Sequence, residues 1–307
     1  MKTIVTFFRV YLRWFIFGIS LLFIINTFQN NWNSITTITF DDQSKYFLIL
    51  AFFVTFFSHV WSALVWSKIL EILKQPMKTR WVLKLYLITN IFKYIPGNVG
   101  HFYARIVSIY QQGVSWKIAS FSVLLEPLLM AISASVISLL ACLLSGCKTT
   151  YNTWLLFIQI VTTLIGLLVI HPFFINKITS FLKKNVLENI QDDIYLREYP
   201  KIIVLGELGF ILLRGLGFIL TWMAFIPISI FQIPLLLSVF SLAWLLGLVI
   251  PGAPSGIGIF EAAIIILLKT ENFPIQIIIS TIAIFRLLSI MAEVVGAGLG
   301  LLDKKTI

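Results

Sequence analysis

The stretch that most restricts this fold is Ala253–Glu261, A-P-S-G-I-G-I-F-E, set between two apolar runs, Leu235–Ile250 and Ile259–Leu268. A helix that crosses a bilayer needs ~20 consecutive apolar residues, and each run falls short of that. Between the runs lie Pro251, Gly252, Pro254, Gly256 and Gly258, and one carboxylate, Glu261, follows them. Bare amides in lipid cost several kcal/mol each, so a backbone that breaks at membrane depth must line a cavity or be buried in protein. The expected path enters the membrane, breaks, and leaves on the same side. Glu261 then stands near the start of the outgoing half-helix.

An earlier stretch repeats this plan. Val82–Phe92 is a short apolar run, followed by Lys93-Tyr94-Ile95-Pro96-Gly97-Asn98-Val99-Gly100 and a second short run, Phe102–Tyr110, that carries Arg105. Both breaks contain Ile-Pro-Gly, at Ile95–Gly97 and Ile250–Gly252. Interrupted short segments at matching places in two halves of a membrane chain point to a binding site where the halves meet.

Composition agrees with a membrane location. Of 307 residues, 59% are hydrophobic, and the mean hydropathy is +0.98. No polar segment is long enough for a separate catalytic domain. Cys142 and Cys147 offer neither a disulfide framework nor a metal spacing, and His59, His101 and His171 are scattered. No cofactor is expected. The basic Met1–Arg13 precedes an apolar Trp14–Phe28 without a small-residue cleavage site, and reads as an uncleaved first helix.

The expected class is an all-α integral membrane protein of about six full spans plus two re-entrant hairpins. Residues 1–307 form a single polytopic domain with halves 1–150 and 151–307. The spans are Tyr11–Phe28, Tyr46–Leu70, Ile118–Leu144 (interrupted at Glu126-Pro127), Trp154–Ile170, Ile202–Ile226 and Ile275–Leu302. A polar stretch, His171–Lys201, reads as an amphipathic connector. With both termini in the cytoplasm, the outer loops hold Lys45, Lys148 and Lys269. Lys93, Arg105, Arg214 and Arg286 lie in the membrane. The remaining 16 of 23 basic residues face the cytoplasm, including the patch from Lys68 to Lys84. That asymmetry sets the orientation and accounts for the net charge of +10 without nucleic acid. The first hairpin then enters from the cytoplasm and the second from outside, which is the parity of an inverted repeat.

Glu126, Glu207, Glu261 and Glu293 stand against the four intramembrane cations. Such groups cost ~2.5–3.5 kcal/mol each on insertion scales and are usually paired or functional. Glu207 and Arg214 are seven apart on one helical face, and Arg286 and Glu293 share that spacing. A structural ion pair is expected for Glu207 and Arg214. Arg105, Glu261 and Arg286, beside the breaks, are expected to be functional. The first hairpin suits an anion: Pro96, Gly97 and Gly100 open the backbone, His101 and Arg105 share a face, and Lys93 adds a third donor. Glu126 in the following helix, and Pro254, Ser255, Gly256 and Gly258 at the second break, complete the expected binding set. Glu261 could pair with a cationic headgroup, carry a proton, or hold Arg286. Trp61, Trp66, Trp81, Trp116 and Trp154 fall near helix ends, as an interfacial belt would, and the 27 phenylalanines read as lipid-facing filler.

On these residues the chain resembles the transmembrane region of lysylphosphatidylglycerol synthases, also found as free-standing flippase-like membrane proteins. The resemblance rests on Tyr94–Gly100 with Arg105, on Glu126, on Pro254–Glu261, and on Arg286 followed by Gly296. Where that family usually shows Pro-Gly-Gly-x-Gly-x-x-Glu, this chain has Ser255 for the first glycine. The resemblance implies a helical fold with re-entrant segments and movement of a phospholipid or lipid-linked sugar across the plasma membrane. It implies no aminoacyl transfer, since the transferase domain is absent from this sequence. The expected partners are membrane lipids, anionic or sugar-linked. The competing expectation is a non-transporting partner of an envelope lipid or glycan biosynthesis enzyme. A membrane-embedded enzyme is disfavoured, because the sequence shows no metal cluster and no Ser/His/Asp set.

Overall fold

A computed structural model describes residues 29, 41–94, 99–146, 153–177, 196, 198–250, 256–269 and 273–303. Apart from one turn of 3-10 helix at Ile91–Tyr94, every principal element is an α-helix. Helix α1 spans Asp42–Ile72 and starts at Asp41, whose carboxylate accepts the Ser44 amide at 2.7 Å. That contact satisfies one of the free amides of the first turn. The first hairpin is α2, Thr79–Asn90, and α3, Gly100–Gln111, with the 3-10 turn on the α2 side of the break. Helix α4 runs Trp116–Ser145 and ends on Gly146 at φ +67°. Helix α5 is Thr153–Val169 and α6 is Lys201–Met223. Helices α7, Gln232–Val249, and α8, Ile259–Lys269, flank the second break, and α9 runs Ile275–Leu302.

These boundaries follow the apolar runs of the sequence closely. Two differ in kind. α4 is one continuous helix with Pro127 inside it, not a helix interrupted at Glu126-Pro127. An interior proline costs ~3 kcal/mol, and packing on both sides of it holds the helix together. α7 begins before the apolar run and reaches 18 residues, so it is long enough to cross a membrane by itself. Among the described residues five helices meet that length: α1, α4, α6, α7 and α9. α5, at 17 residues, is apolar but shorter. The expected first span, Tyr11–Phe28, lies outside the described residues, as do Cys147 and nearly all of the connector's polar middle.

The packing runs between the two halves. α1 lies along α6, α4 along α7, and α9 along α2. The same partnership recurs with the halves exchanged: α3 lies on α4 and α8 on α9, α2 contacts α3 and α7 contacts α8. Close approach rests on small residues, which let membrane helices touch backbone to side chain. A Cβ on Gly206 would stand 2.6 Å from Val65, and one on Gly217 would stand 2.6 Å from Thr55, so any side chain there would push α6 or these residues of α1 aside. Gly296 and Gly300, one turn apart on α9, face Leu87 and Ile88 of α2 in the same way. At the helix ends Arg80 makes two 2.8 Å bonds to Asp303, and Lys84 donates to the Asp303 carbonyl at 2.6 Å. The start of α2 and the end of α9 are therefore on one face.

Two expectations about aromatics are corrected. Trp66 is fully buried, not interfacial, and Trp61 donates to the Gly206 carbonyl at 2.8 Å. Trp116 and Trp154 do remain exposed. Phenylalanine is not only lipid-facing filler. Phe218, Phe240, Phe260 and Phe285 form a buried cluster with ring centres 5.4–6.5 Å apart, the core of the second half. Such pairs add to area burial through their ring quadrupoles.

Candidate functional site

Arg105 and Glu126 are the most enclosed charges among the described residues of the first half. Arg105 lies in the second turn of α3 and is 2% exposed. Its Nη1 donates to Glu126 of α4 at 2.9 Å, its Nε to Thr89 at 3.1 Å, and its Nη2 to Asn90 at 3.5 Å. The guanidinium stacks on Tyr86, 3.7 Å from the ring centre. The other oxygen of Glu126 accepts from Tyr86 at 2.6 Å and from Ser62 at 3.3 Å. These contacts tie α2, α3 and α4 together. Glu126 takes one arm of the guanidinium, and Arg105 also lines the cavity described below. Breaking a buried pair of this kind costs about 3–5 kcal/mol.

The second break is built on backbone geometry. Gly256 has φ +67° and Gly258 has φ +92°, values that favour glycine. A Cβ on Gly256 would stand 2.8 Å from the Gly247 carbonyl oxygen of α7. The chain can turn so close under α7 only without a side chain there. Glu261 sits at the third position of α8 and accepts the Gly258 amide at 2.5 Å, the return half of a capping box. Its other oxygen accepts from Arg286 of α9 at 2.6 Å. Of the three roles open to Glu261, the structure shows the one that holds Arg286. The same carboxylate occupies the positive end of α8.

The spacing-based pairs do not form. Glu207 is fully buried, and neither carboxylate oxygen has a hydrogen-bond partner among the described residues. Arg214 instead reaches across to α9, where its Nη1 donates to Ser289 at 3.2 Å and its guanidinium lies 5.0 Å from the Phe285 ring centre. Glu293 turns away from Arg286 and takes Lys93 at 2.5 Å and His59 at 3.3 Å. Residues seven apart do share a face. Which side chains meet is decided by the neighbouring helix, and α9 brings its face to α1, α2 and α6.

Between these clusters lies a cavity of about 440 Å³, within the ordinary range for small-ligand sites. The first half contributes His59, Tyr86, Asn90, Lys93, His101, Arg105 and Glu126 to its wall. The second half contributes Arg214, Trp244, Phe260, Arg286, Ser289 and Glu293. Of the expected binding set, Lys93, His101, Arg105, Glu126 and Arg286 reach this one space. Gly256, Gly258 and Glu261 form the turn behind it, and Gly100 opens α3. Pro96, Gly97, Pro254 and Ser255 lie outside the described residues. Sequence reasoning gave Arg214 a structural pair with Glu207, and did not single out Ser289 or Tyr86. The signal for Arg214 was present: an arginine in the middle of an apolar helix is a candidate for function on cost alone.

A family model described as the lysylphosphatidylglycerol synthase TM region matches residues 11–296. A search of curated proteins gave no match. The chain belongs to this family of membrane proteins.

Proposed function

We propose that this family member is a flippase-like transporter that carries a phospholipid or a lipid-linked sugar across the plasma membrane, without chemical change, through a central site between its two broken segments. The observation that carries the reading is the cavity of about 440 Å³ walled by both halves, whose lining includes the charged Lys93 and Arg286 and the apolar Phe102, Phe210, Trp244 and Leu248. A polar headgroup needs the charged groups and an acyl or isoprenyl chain the apolar ones. The inverted-repeat reading is supported by the reciprocal packing of α9 on α2 and α4 on α7. In this reading α2–α3 and α7–α8 are re-entrant hairpins that face the cavity from opposite sides, and both termini are cytoplasmic.

The test is transbilayer movement of fluorescent phosphatidylglycerol in proteoliposomes of the purified chain, followed by dithionite quenching. Movement well above protein-free vesicles is the expected result. A rate equal to protein-free vesicles, for phospholipid and for a polyprenyl-phosphate sugar alike, overturns transport and leaves the role of a partner to an envelope-biosynthesis enzyme.

A further inference from the structure

Three of the four intramembrane cations are matched by carboxylates. Arg105 has Glu126, Lys93 has Glu293, and Arg286 has Glu261. Arg214 is not so matched. It is 6% exposed and lines the cavity, and among the described residues its polar partner is the Ser289 hydroxyl. Glu207, two turns earlier on α6, is not part of the cavity wall. Glu293 attracts Arg214 from one turn beyond Ser289, but its Oε1 is held by Lys93 and His59, and its Oε2, which has no hydrogen-bond partner among the described residues, does not reach Arg214 as a salt bridge. Among the described residues Arg214 is therefore the cavity cation that forms no direct ion pair.

A guanidinium carries five N–H donors in a planar fork, and Ser289 occupies one of them. What completes such a fork is an oxyanion with two free oxygens. A single guanidinium without an ion pair suits a monoanion better than a phosphomonoester, which would bring about −1.5 to −2. Phe210 and Trp244 flank the same wall, so the group bearing the anion can continue into apolar surroundings. Ser289 directs its own hydrogen to the Phe285 carbonyl at 2.8 Å, which leaves its oxygen as the acceptor that aims Arg214.

We infer that Arg214, positioned by Ser289, binds the phosphodiester of a lipid headgroup in this cavity. The inference rests on the transport reading for the identity of the lipid and on the unmatched charge for the site itself. It places the anion at the middle of α6 rather than at the first hairpin, where Arg105 is paired with Glu126.

Native mass spectrometry of the purified full chain tests it with four probes: phosphatidylglycerol, phosphatidylcholine, diacylglycerol and inorganic phosphate. Both phosphodiester lipids should bind, with diacylglycerol weaker by roughly tenfold or more, the value of a charge-assisted hydrogen bond. Arg214→Gln should lose that tenfold for the phosphodiester lipids and leave diacylglycerol unchanged. Arg214→Lys should fall between, because charge is kept and the fork is lost. Ser289→Ala provides a milder variant if Arg214→Gln fails to fold by circular dichroism, and should weaken the phosphodiester lipids alone. Wild-type affinity for phosphatidylglycerol in Arg214→Gln, or equal binding of diacylglycerol and phosphatidylglycerol, overturns the site. Displacement of phosphatidylglycerol by millimolar inorganic phosphate keeps the anion site and assigns it to a free ion. Binding without transport in proteoliposomes removes the transport reading and leaves this site standing.

Discussion

Among the charged residues, burial and partners separate structure from candidate function. Arg105 and Glu126 are each 2% exposed and joined to Tyr86, Thr89, Asn90 and Ser62, so their loss acts first on folding. Arg105→Lys keeps the charge but not the fork or the ring stacking. We expect it to lower stability by about 2–4 kcal/mol, somewhat less than outright loss of a buried pair because the charge remains. Thermal unfolding of the purified protein checks this, and an unchanged midpoint would return Arg105 to the list of free donors. Glu261→Gln separates the two duties of that side chain. The amide oxygen can still take one hydrogen bond, but Arg286 loses its counter-charge. We expect measurable destabilisation together with weaker retention of α8 against α9, read as faster hydrogen exchange in Ile259–Lys269. A variant with wild-type exchange would show that Glu261 does not anchor Arg286.

The helices were legible from apolar runs: the run Ile275–Leu302 and the helix α9 coincide, while starts such as Tyr46 for Asp42 fall inside the helix. The exceptions have physical causes. Pro127 read as an interruption because its ring removes a donor and crowds the preceding turn. Tertiary contacts on both sides of α4 override that local preference. α7 was read as too short because Gln232 and Pro234 interrupt the apolar pattern, yet with Ile233 they form its first turn. The glycines of the second break were read correctly as backbone devices. Gly256→Ala places a methyl against the Gly247 carbonyl at positive φ, and we expect a loss of roughly 2 kcal/mol or more. Gly298→Ala, which meets open space, should be nearly neutral in the same melting experiment.

At the scale of the molecule, orientation is a prediction with an internal check. The Arg80–Asp303 and Lys84–Asp303 contacts put the basic loop before α2 and the end of α9 on one face. By the positive-inside count we expect that face to be cytoplasmic. Lys74, exposed at the turn after α1, is a suitable probe. A Lys74→Cys chain on a Cys-free background should resist a membrane-impermeant maleimide in intact cells and react after permeabilisation. Reaction in intact cells would invert the orientation and with it the direction from which each hairpin enters.

The sequence alone determined the class, the order of helices, the position of both breaks and the short list of intramembrane charges. Those features follow from local terms: apolar run length, proline and glycine chemistry, and the cost of a charge in lipid. The partners of the charges were decided only by the tertiary structure. Glu207 and Arg214 share a helical face, yet Arg214 meets Ser289, and Arg286 meets Glu261 rather than Glu293. Helical spacing fixes which way a side chain points, and the identity of the facing helix fixes what it meets. The same holds for Trp66 and the buried phenylalanines, whose hydrophobicity suits lipid and protein interior alike. In a membrane that ambiguity is intrinsic, because the solvent and the core are equally apolar.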